Sequence, residues 1–377
     1  MNPIAFAQVI EQIVRVCFTY VLVQWLMPLG IEYAAAGAVL SSVLGEACSL
    51  LVFIVLFRSS NKKFRVSRPN WSQAIQGKNV LMELLQTGLP TTGNGFVMSI
   101  SRAMQPIIIT KSLALAGISS ALITRQYGML TGFVMPLLFL PSFINQSLGV
   151  TLVPAISEAN AQKNLRLINL RLNQAISVAL IVGTPSTILL YLYAQELMTV
   201  IYHAPAAAPL LKLISPFFLL NYLQSPLQSA LVGMGQAKTA MLNNLKAKCT
   251  TVALIYPLAS NPMLGINGVI LAISFGVILE TILHYYSVVK LMGMFLYVQK
   301  IIRILVAAIM MGYIGRAVVS YLNSLTCKLS VAMILLTGIL VSIIVYLVLL
   351  GFLKVIRRDN IVRIPMIGRR LAMFFPK

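Results

Sequence analysis

Ten long apolar runs, joined by short connections, constrain this chain more than any other feature. They lie at roughly 8–28, 33–57, 82–110, 126–150, 172–194, 210–232, 242–260, 265–289, 303–321 and 329–353. Each is about long enough to cross a bilayer as a helix, which takes about 20 residues. The basic residues alternate with the runs. One set of alternate connections holds Arg58, Lys62, Lys63, Arg65, Arg68 and Lys78; Lys163, Arg166 and Arg171; Lys238, Lys246 and Lys248; Lys290, Lys300 and Arg303. The C-terminal tail adds Lys354, Arg357, Arg358, Arg363, Arg369, Arg370 and Lys377. The other set holds only Lys111, Arg125, Lys212 and Lys328, and three more, Arg15, Arg102 and Arg316, sit inside apolar runs. Lys and Arg accumulate in cytoplasmic loops, so this split puts both termini in the cytoplasm. It also tests the count, because one missed or invented helix would scramble the alternation downstream. The predicted fold is all-α and polytopic, with about ten transmembrane helices. The rival is an odd count, from reading 82–110 as two half-helices or from demoting 242–260.

Composition bears on function class. The chain is 59% hydrophobic and 10% charged, with a mean hydropathy of +0.89. A soluble chain carries about 25% charged residues. A net charge of +21 would suggest nucleic acid in a soluble protein. Here the charge flanks apolar segments in short loops, so anionic lipid of the cytoplasmic leaflet is the expected partner and nucleic acid is not. The first run is too long for a signal-peptide core and lacks a small-residue cleavage site, so it reads as a span. Cys17, Cys48, Cys249 and Cys327 are scattered, and His203 and His284 are isolated. No metal-ligand or nucleophile–base spacing stands out. With eight acidic residues and no convincing pair within the membrane, the chain does not read as an enzyme. No cofactor is expected beyond H+ or Na+ as a coupling ion.

The organisation reads as one membrane unit in successive blocks. Residues 1–57 are a helix pair, 58–80 a basic cytoplasmic loop, 81–290 a six-helix lobe, 291–353 a final helix pair and 354–377 a basic tail. A repeat underlies this division. Gly37-Ala38-Val39-Leu40 with Gly45 matches Gly268-Val269-Ile270-Leu271 with Gly276 at an offset of 231. Each block follows a Pro-Leu turn, Met27-Pro28-Leu29 or Tyr256-Pro257-Leu258, and the ungapped offset sets Arg15 against Lys246. Both pairs start from the same side, so the repeat is parallel, one of the two ways transporter folds are built. On this reading helices one and two are the last third of a first lobe whose first four helices are missing. Met1 would then be an internal methionine.

The opening Met1-Asn2-Pro3-Ile4-Ala5-Phe6-Ala7-Gln8-Val9-Ile10-Glu11-Gln12-Ile13-Val14-Arg15 closely resembles a stretch inside the stage V sporulation protein B family. Those proteins are polysaccharide-type exporters of the multidrug/oligosaccharidyl-lipid/polysaccharide flippase superfamily. Gly88-Leu89-Pro90, Pro154-Ala155-Ile156-Ser157, Leu231 to Lys238 and Leu264-Gly265-Ile266-Asn267-Gly268 continue the resemblance in order along the chain. It implies a fourteen-helix fold of two six-helix lobes and a final pair, here without the first four helices. It also implies a flippase for a lipid-linked glycan precursor, carried on undecaprenyl pyrophosphate and serving spore-cortex peptidoglycan. Two other functions stay open: a drug/cation antiporter of the same superfamily, and a scaffold for wall-synthesis enzymes that does not transport.

Several residues could carry the chemistry. Arg102 lies well inside helix three, where a guanidinium costs at least a few kcal/mol and normally faces a cavity or a partner. Its fork suits phosphate oxygens, so in a flippase it would hold pyrophosphate. Snorkelling to the outer headgroups, or a structural pair with Glu, are the plainer alternatives. Arg15 stands four residues after Glu11, a spacing that permits an intrahelical pair. Arg316 is a candidate for a lipid-headgroup or groove contact. Glu46 and Glu280 fall inside helices two and eight, and a buried carboxylate stays neutral unless paired. Either could couple transport to an ion or pair with Arg102. Glu280 and His284 share a helix face, a weak metal signal. Asn94, between Gly93 and Gly95 after Pro90, is a candidate carbonyl ligand for a cation, with helix packing through small residues as the alternative. The Gly88–Pro90 region is expected to break helix three and open a central cavity.

Overall fold

The computed structural model describes residues 3–61, 71–293, 297–324 and 330–355. Those residues form thirteen α-helices, joined by turns and short 3-10 or π segments. They are α1 (Pro3–Leu26), α2 (Ile31–Asn61), α3 (Trp71–Leu115), α4 (Ser120–Gly128), α5 (Met135–Phe139), α6 (Ser142–Ala161), α7 (Leu165–Leu192), α8 (Ala194–Tyr202), α9 (Ala208–Gly233), α10 (Ala237–Ala259), α11 (Ile266–Met292), α12 (Val298–Ser324) and α13 (Val331–Phe352). Over the described residues each predicted apolar run coincides with a helix or with the bent set α4–α6. Among the described residues seven helices are long and apolar enough to span a membrane, or eight if the bent set is one span. The runs at 82–110 and 242–260 form α3 and α10 but miss that standard. Arg102 and Gln105 dilute the first; Asn243, Asn244, Lys246 and Lys248 dilute the second. Helical structure also reaches into the 58–80 connection from both ends, while the basic tail beyond Val355 lies outside the described residues.

The chain divides into two compact units, residues 1–81 and 82–377. In the first, α1 and α2 form an antiparallel hairpin turned by a 3-10 segment, Met27–Leu29, with Pro28 inside it and Gly30 at φ +131°. Small residues let the two backbones approach, the packing that lipid favours over large apolar contacts. A Cβ on Gly37 would lie 2.7 Å from Leu26 Cδ1, and one on Gly45 would lie 3.1 Å from the Glu11 carbonyl oxygen. Thr19 and Ser41 hydroxyls bridge the hairpin at 2.6 Å.

The second unit carries two apolar cores. Ile156, Ile168, Leu172, Leu231, Ile304 and Tyr346 belong to one; Leu130, Leu138, Met198, Leu211, Phe218 and Tyr222 belong to the other. The early part of α7 serves the first and its end the second, so the two cores stack along the bundle. Outside them, large apolar side chains stay exposed, among them Ile31, Tyr313 and Phe352. Water would penalise such a surface; hydrocarbon does not.

The span around α4–α6 bends by 55°. Pro136 and Pro141 lack N–H donors, and a π segment, Met129–Val134, lies just before them. These are ordinary causes of a kink. Tyr222 Oη donates to the Leu138 carbonyl at 3.0 Å, and Ser225 Oγ to that of Asn145 at 2.9 Å, so α9 satisfies carbonyls around the bend.

Two expectations need correcting. Helix α3 does not break at Gly88–Pro90. It runs 45 residues through Pro90 and Pro106, about 68 Å at 1.5 Å per residue. The repeat, in turn, carries a register shift. In both hairpins the paired glycines sit at the close approach, since a Cβ on Gly268 would overlap the Leu258 carbonyl and one on Gly276 would overlap Thr251 Oγ1. Gly45, however, faces Glu11 and Arg15, whereas the ungapped offset would place Gly276 opposite residues 242–246. Thr251 lies five residues beyond the counterpart of Arg15, although at the other glycine pair Leu258 lies only one beyond that of Leu26, so the ungapped offset does not hold along the preceding helices.

Candidate functional site

A ladder of buried polar contacts runs along the α10–α11 seam. It is built turn by turn. Gly276 lets α11 close on Thr251. One turn on, Lys248 Nζ donates to Glu280 Oε2 at 2.9 Å. At the next turn His284 Nε2 lies 2.9 Å from Asn244 Oδ1. At the last, Asn243 Nδ2 donates to Ser287 Oγ at 2.9 Å and to the Leu283 carbonyl at 3.2 Å. Helix periodicity explains the ladder: residues three or four apart share a face. The seam extends to a third helix, because Asn244 Nδ2 donates to Asn94 Oδ1 of α3 at 2.6 Å. Gly93 makes room there, since a Cβ would lie 2.8 Å from Met241 Sδ of α10.

Burial makes these bonds matter. His284, Asn244, Glu280 and Asn243 are at most 5% exposed. A polar group so placed costs about 1–3 kcal/mol if left unpaired, and a lone charge more. With Asn244 turned to donate to Asn94, its Oδ1 accepts from the ring, so His284 carries its proton on Nε2. Two residues singled out from sequence, Asn94 and Glu280, thus lie along one seam but on separate bonds: Asn94 meets Asn244, and Glu280 meets Lys248. The structure corrects the reading of Glu280 as a lone carboxylate or a partner of Arg102, because its partner is Lys248. It also corrects the reading of Lys248 as a loop residue, though the basic asymmetry survives its removal. Glu280 and His284 turn to different partners. Among the described residues no three His, Cys, Asp or Glu side chains gather as a metal would require.

The other candidates lie elsewhere. Arg102 is exposed on α3 and has no hydrogen bond or ion pair among the described residues. It is neither structurally paired nor packed away. Arg15 meets Glu11 at 2.6 Å, as the spacing allowed, and lines an open groove along α1 with Thr19, Tyr20 and Gln24. Glu46 is exposed on α2 without a polar partner among the described residues. Arg316, the candidate for a lipid-headgroup or groove contact, has a protein partner: its Nη1 donates to Glu196 of α8 at 2.7 Å, tying the final helix pair to the bundle while the side chain stays half exposed. Beside that pair Tyr193 is fully buried, with Gly315 and Gly338 clearing space around its hydroxyl.

Comparison with known proteins places this architecture. Over 370 residues the chain is 42% identical to stage V sporulation protein B of Bacillus subtilis (strain 168), covering 98% of this chain and 70% of that protein. The chain belongs to the stage V sporulation protein B family. It is a multi-pass membrane protein of the multidrug/oligosaccharidyl-lipid/polysaccharide flippase superfamily. The polysaccharide biosynthesis protein profile matches residues 1–160 and the MatE profile residues 130–257. Sporulation protein YkvU of the same organism is 32% identical over 77% of this chain and 64% of its own length. Lipid II flippase MurJ, also from that organism, is 24% identical across the whole chain and 70% of its own length. A solved structure of lipid II flippase MurJ in an inward closed conformation shares the fold at a TM-score of 0.57 and 16% identity. That match covers 93% of this chain and 67% of the other.

Membership in this family does not make Asn243, Asn244 or Lys248 visible from local sequence. Their partners are Ser287, Asn94, His284 and Glu280, between 32 and 150 residues away. One signal was available. Two asparagines and two lysines within six residues dilute an otherwise apolar run, a pattern that loops and buried seams share.

Proposed function

We propose that this chain moves a lipid-linked glycan precursor, of the undecaprenyl-pyrophosphate type, across the bacterial cytoplasmic membrane for spore-cortex peptidoglycan. The observation that carries the reading is the near-complete match to stage V sporulation protein B, and the fold shared with a lipid II flippase supports it. Arg102 adds a chemical argument. An unpaired guanidinium on a long helix prefers an anionic partner, and pyrophosphate oxygens fit its planar fork. Anionic cytoplasmic lipid attracts the basic loops, and wall-synthesis enzymes are natural receivers of the product.

The MatE match favours a second reading, a drug/cation antiporter. Such a function relies on intramembrane carboxylates that exchange ions. Glu280 is engaged by Lys248, which leaves Glu46, of the two carboxylates named from sequence, without a partner among the described residues.

The test is reconstitution of the full chain in liposomes with fluorescent lipid II and a membrane-impermeant quencher. Flipping well above protein-free vesicles is expected. Drug efflux without flipping would replace the proposal with the antiporter. Binding to a wall synthase with neither activity would replace it with a scaffold.

A further inference from the structure

An ion pair stands near the middle of both α10 and α11. Lys248 is the twelfth of 23 residues in α10, its midpoint, and Glu280 the fifteenth of 27 in α11, one residue past its midpoint. Glu280 is 4% exposed, and its carboxylate touches the lysine ammonium at 2.9 Å. A carboxylate held there needs a cation or a proton. On the neighbouring turn are the amide of Asn244 and the ring of His284, and through Asn244 the amide of Asn94 on a third helix. Carboxylate and amide oxygens are the ligands that hard cations take. The cation present is a side chain of the protein, a compact ammonium on a flexible stem.

We propose that the Lys248 ammonium is a tethered cation, standing beside Glu280 where a dissociable coupling ion would otherwise bind, so that α10 and α11 are held together without loading an ion from solution. Two observations meet in this assignment: the near-central position of both partners and the burial of the carboxylate, which the lysine ammonium alone neutralises among the described residues. It rests on the second unit alone and holds whichever lipid is carried. Its failure would therefore leave the proposed transport standing.

Thermal unfolding of the purified full chain, in NaCl and in choline chloride at equal ionic strength, tests it. The wild-type midpoint should be the same in both salts. Lys248→Met keeps the stem and removes the charge. It should lower the midpoint by several degrees in choline chloride, and NaCl should recover part of that loss. Adding Glu280→Gln to Lys248→Met should restore the midpoint and abolish the salt difference. A Na+-specific rise in the wild type, lost in Glu280→Gln, would show a dissociable ion at the site and overturn the proposal. So would a Lys248→Met midpoint equal to wild type, or a loss that neither Na+ nor the second substitution repairs. Should Lys248→Met fail to accumulate, the double variant decides: folding like wild type supports the tethered cation, and failure overturns it.

Discussion

Arg102 and Lys248 show what a single charged residue can mean in this chain. Both interrupt apolar helices, and charge alone does not separate them. Their partners do: Lys248 has Glu280, and Arg102 has none among the described residues. If Arg102 meets pyrophosphate, Arg102→Ala should cut lipid II flipping by at least about tenfold, the loss of one charge-assisted contact worth roughly 1.5–3 kcal/mol. Arg102→Lys keeps the charge without the fork and should fall between the two. Insertion should be unaffected, because removing an intramembrane charge does not hinder it. Flipping rates normalised to membrane abundance give the answer; an Arg102→Ala protein as fast as wild type would make the residue structural or lipid-facing. The sequence made Arg102 legible because an isolated Arg inside an apolar run is anomalous by itself. It hid the role of Lys248, since a lysine near the start of a span looks like topology signalling until its helix is placed against α11. Arg316 was legible as a charge, but its bond to Glu196 joins residues 120 apart, a separation that no periodicity encodes.

At the scale of elements, glycine sets how closely helices pair. The α10–α11 hairpin depends on Gly268, where a Cβ would overlap the backbone carbonyl of Leu258, an atom that cannot swing aside. Gly268→Ala should therefore destabilise the protein by about 1–3 kcal/mol, the usual cost of overpacking. Gly88, on α3, is the control, because nothing lies within 4 Å of its Cβ position. Gly88→Ala removes a poor helix former and should be neutral or stabilising by up to about 1 kcal/mol. Unfolding midpoints of the two variants test the contrast; equal midpoints would mean that the hairpin is not packed through Gly268. The spacing Gly37–Gly45 and Gly268–Gly276 was legible as a repeat, whereas the close approach at each glycine shows only once the helices are paired. The change of register in the preceding helices was not legible. Apolar helices slide by a turn with nearly the same lipid-facing pattern, and only contacts such as Gly45 with Arg15 and Gly276 with Thr251 settle the register. The length of α3 was misread for a related reason: its first turns are polar enough to look like loop, and Pro90 looked like a break that the helix absorbs.

For the whole molecule the decisive property is orientation, which basic residues control and helix packing does not. The described helices alternate across short turns. Gln162 lies in the turn between α6 and α7, flanked by Lys163 and Arg166; Met263 lies in the turn between α10 and α11, which has no basic residue. The chain passes from the first turn through α7, α9 and α10 to reach the second, three crossings if each of these helices spans. An odd number of crossings puts the two turns on opposite faces. The positive-inside rule then assigns Gln162 to the cytoplasm and Met263 to the outside. Both positions are exposed, Met263 at 92%, so a cysteine at either is accessible. In a background with Cys17, Cys48, Cys249 and Cys327 replaced by Ser or Ala, Met263→Cys should react with a membrane-impermeant maleimide in intact cells. Gln162→Cys should react only after permeabilisation. The reverse pattern would invert the whole assignment and put the basic tail outside. Labelling of both from one side would mean that one of α7, α9 or α10 does not cross, and α10, with an ion pair at its midpoint, would be the helix to suspect. A successful outcome would also give the Lys248–Glu280 pair its depth, since a crossing α10 of 23 residues, about 35 Å long, carries its twelfth residue to the middle of the bilayer.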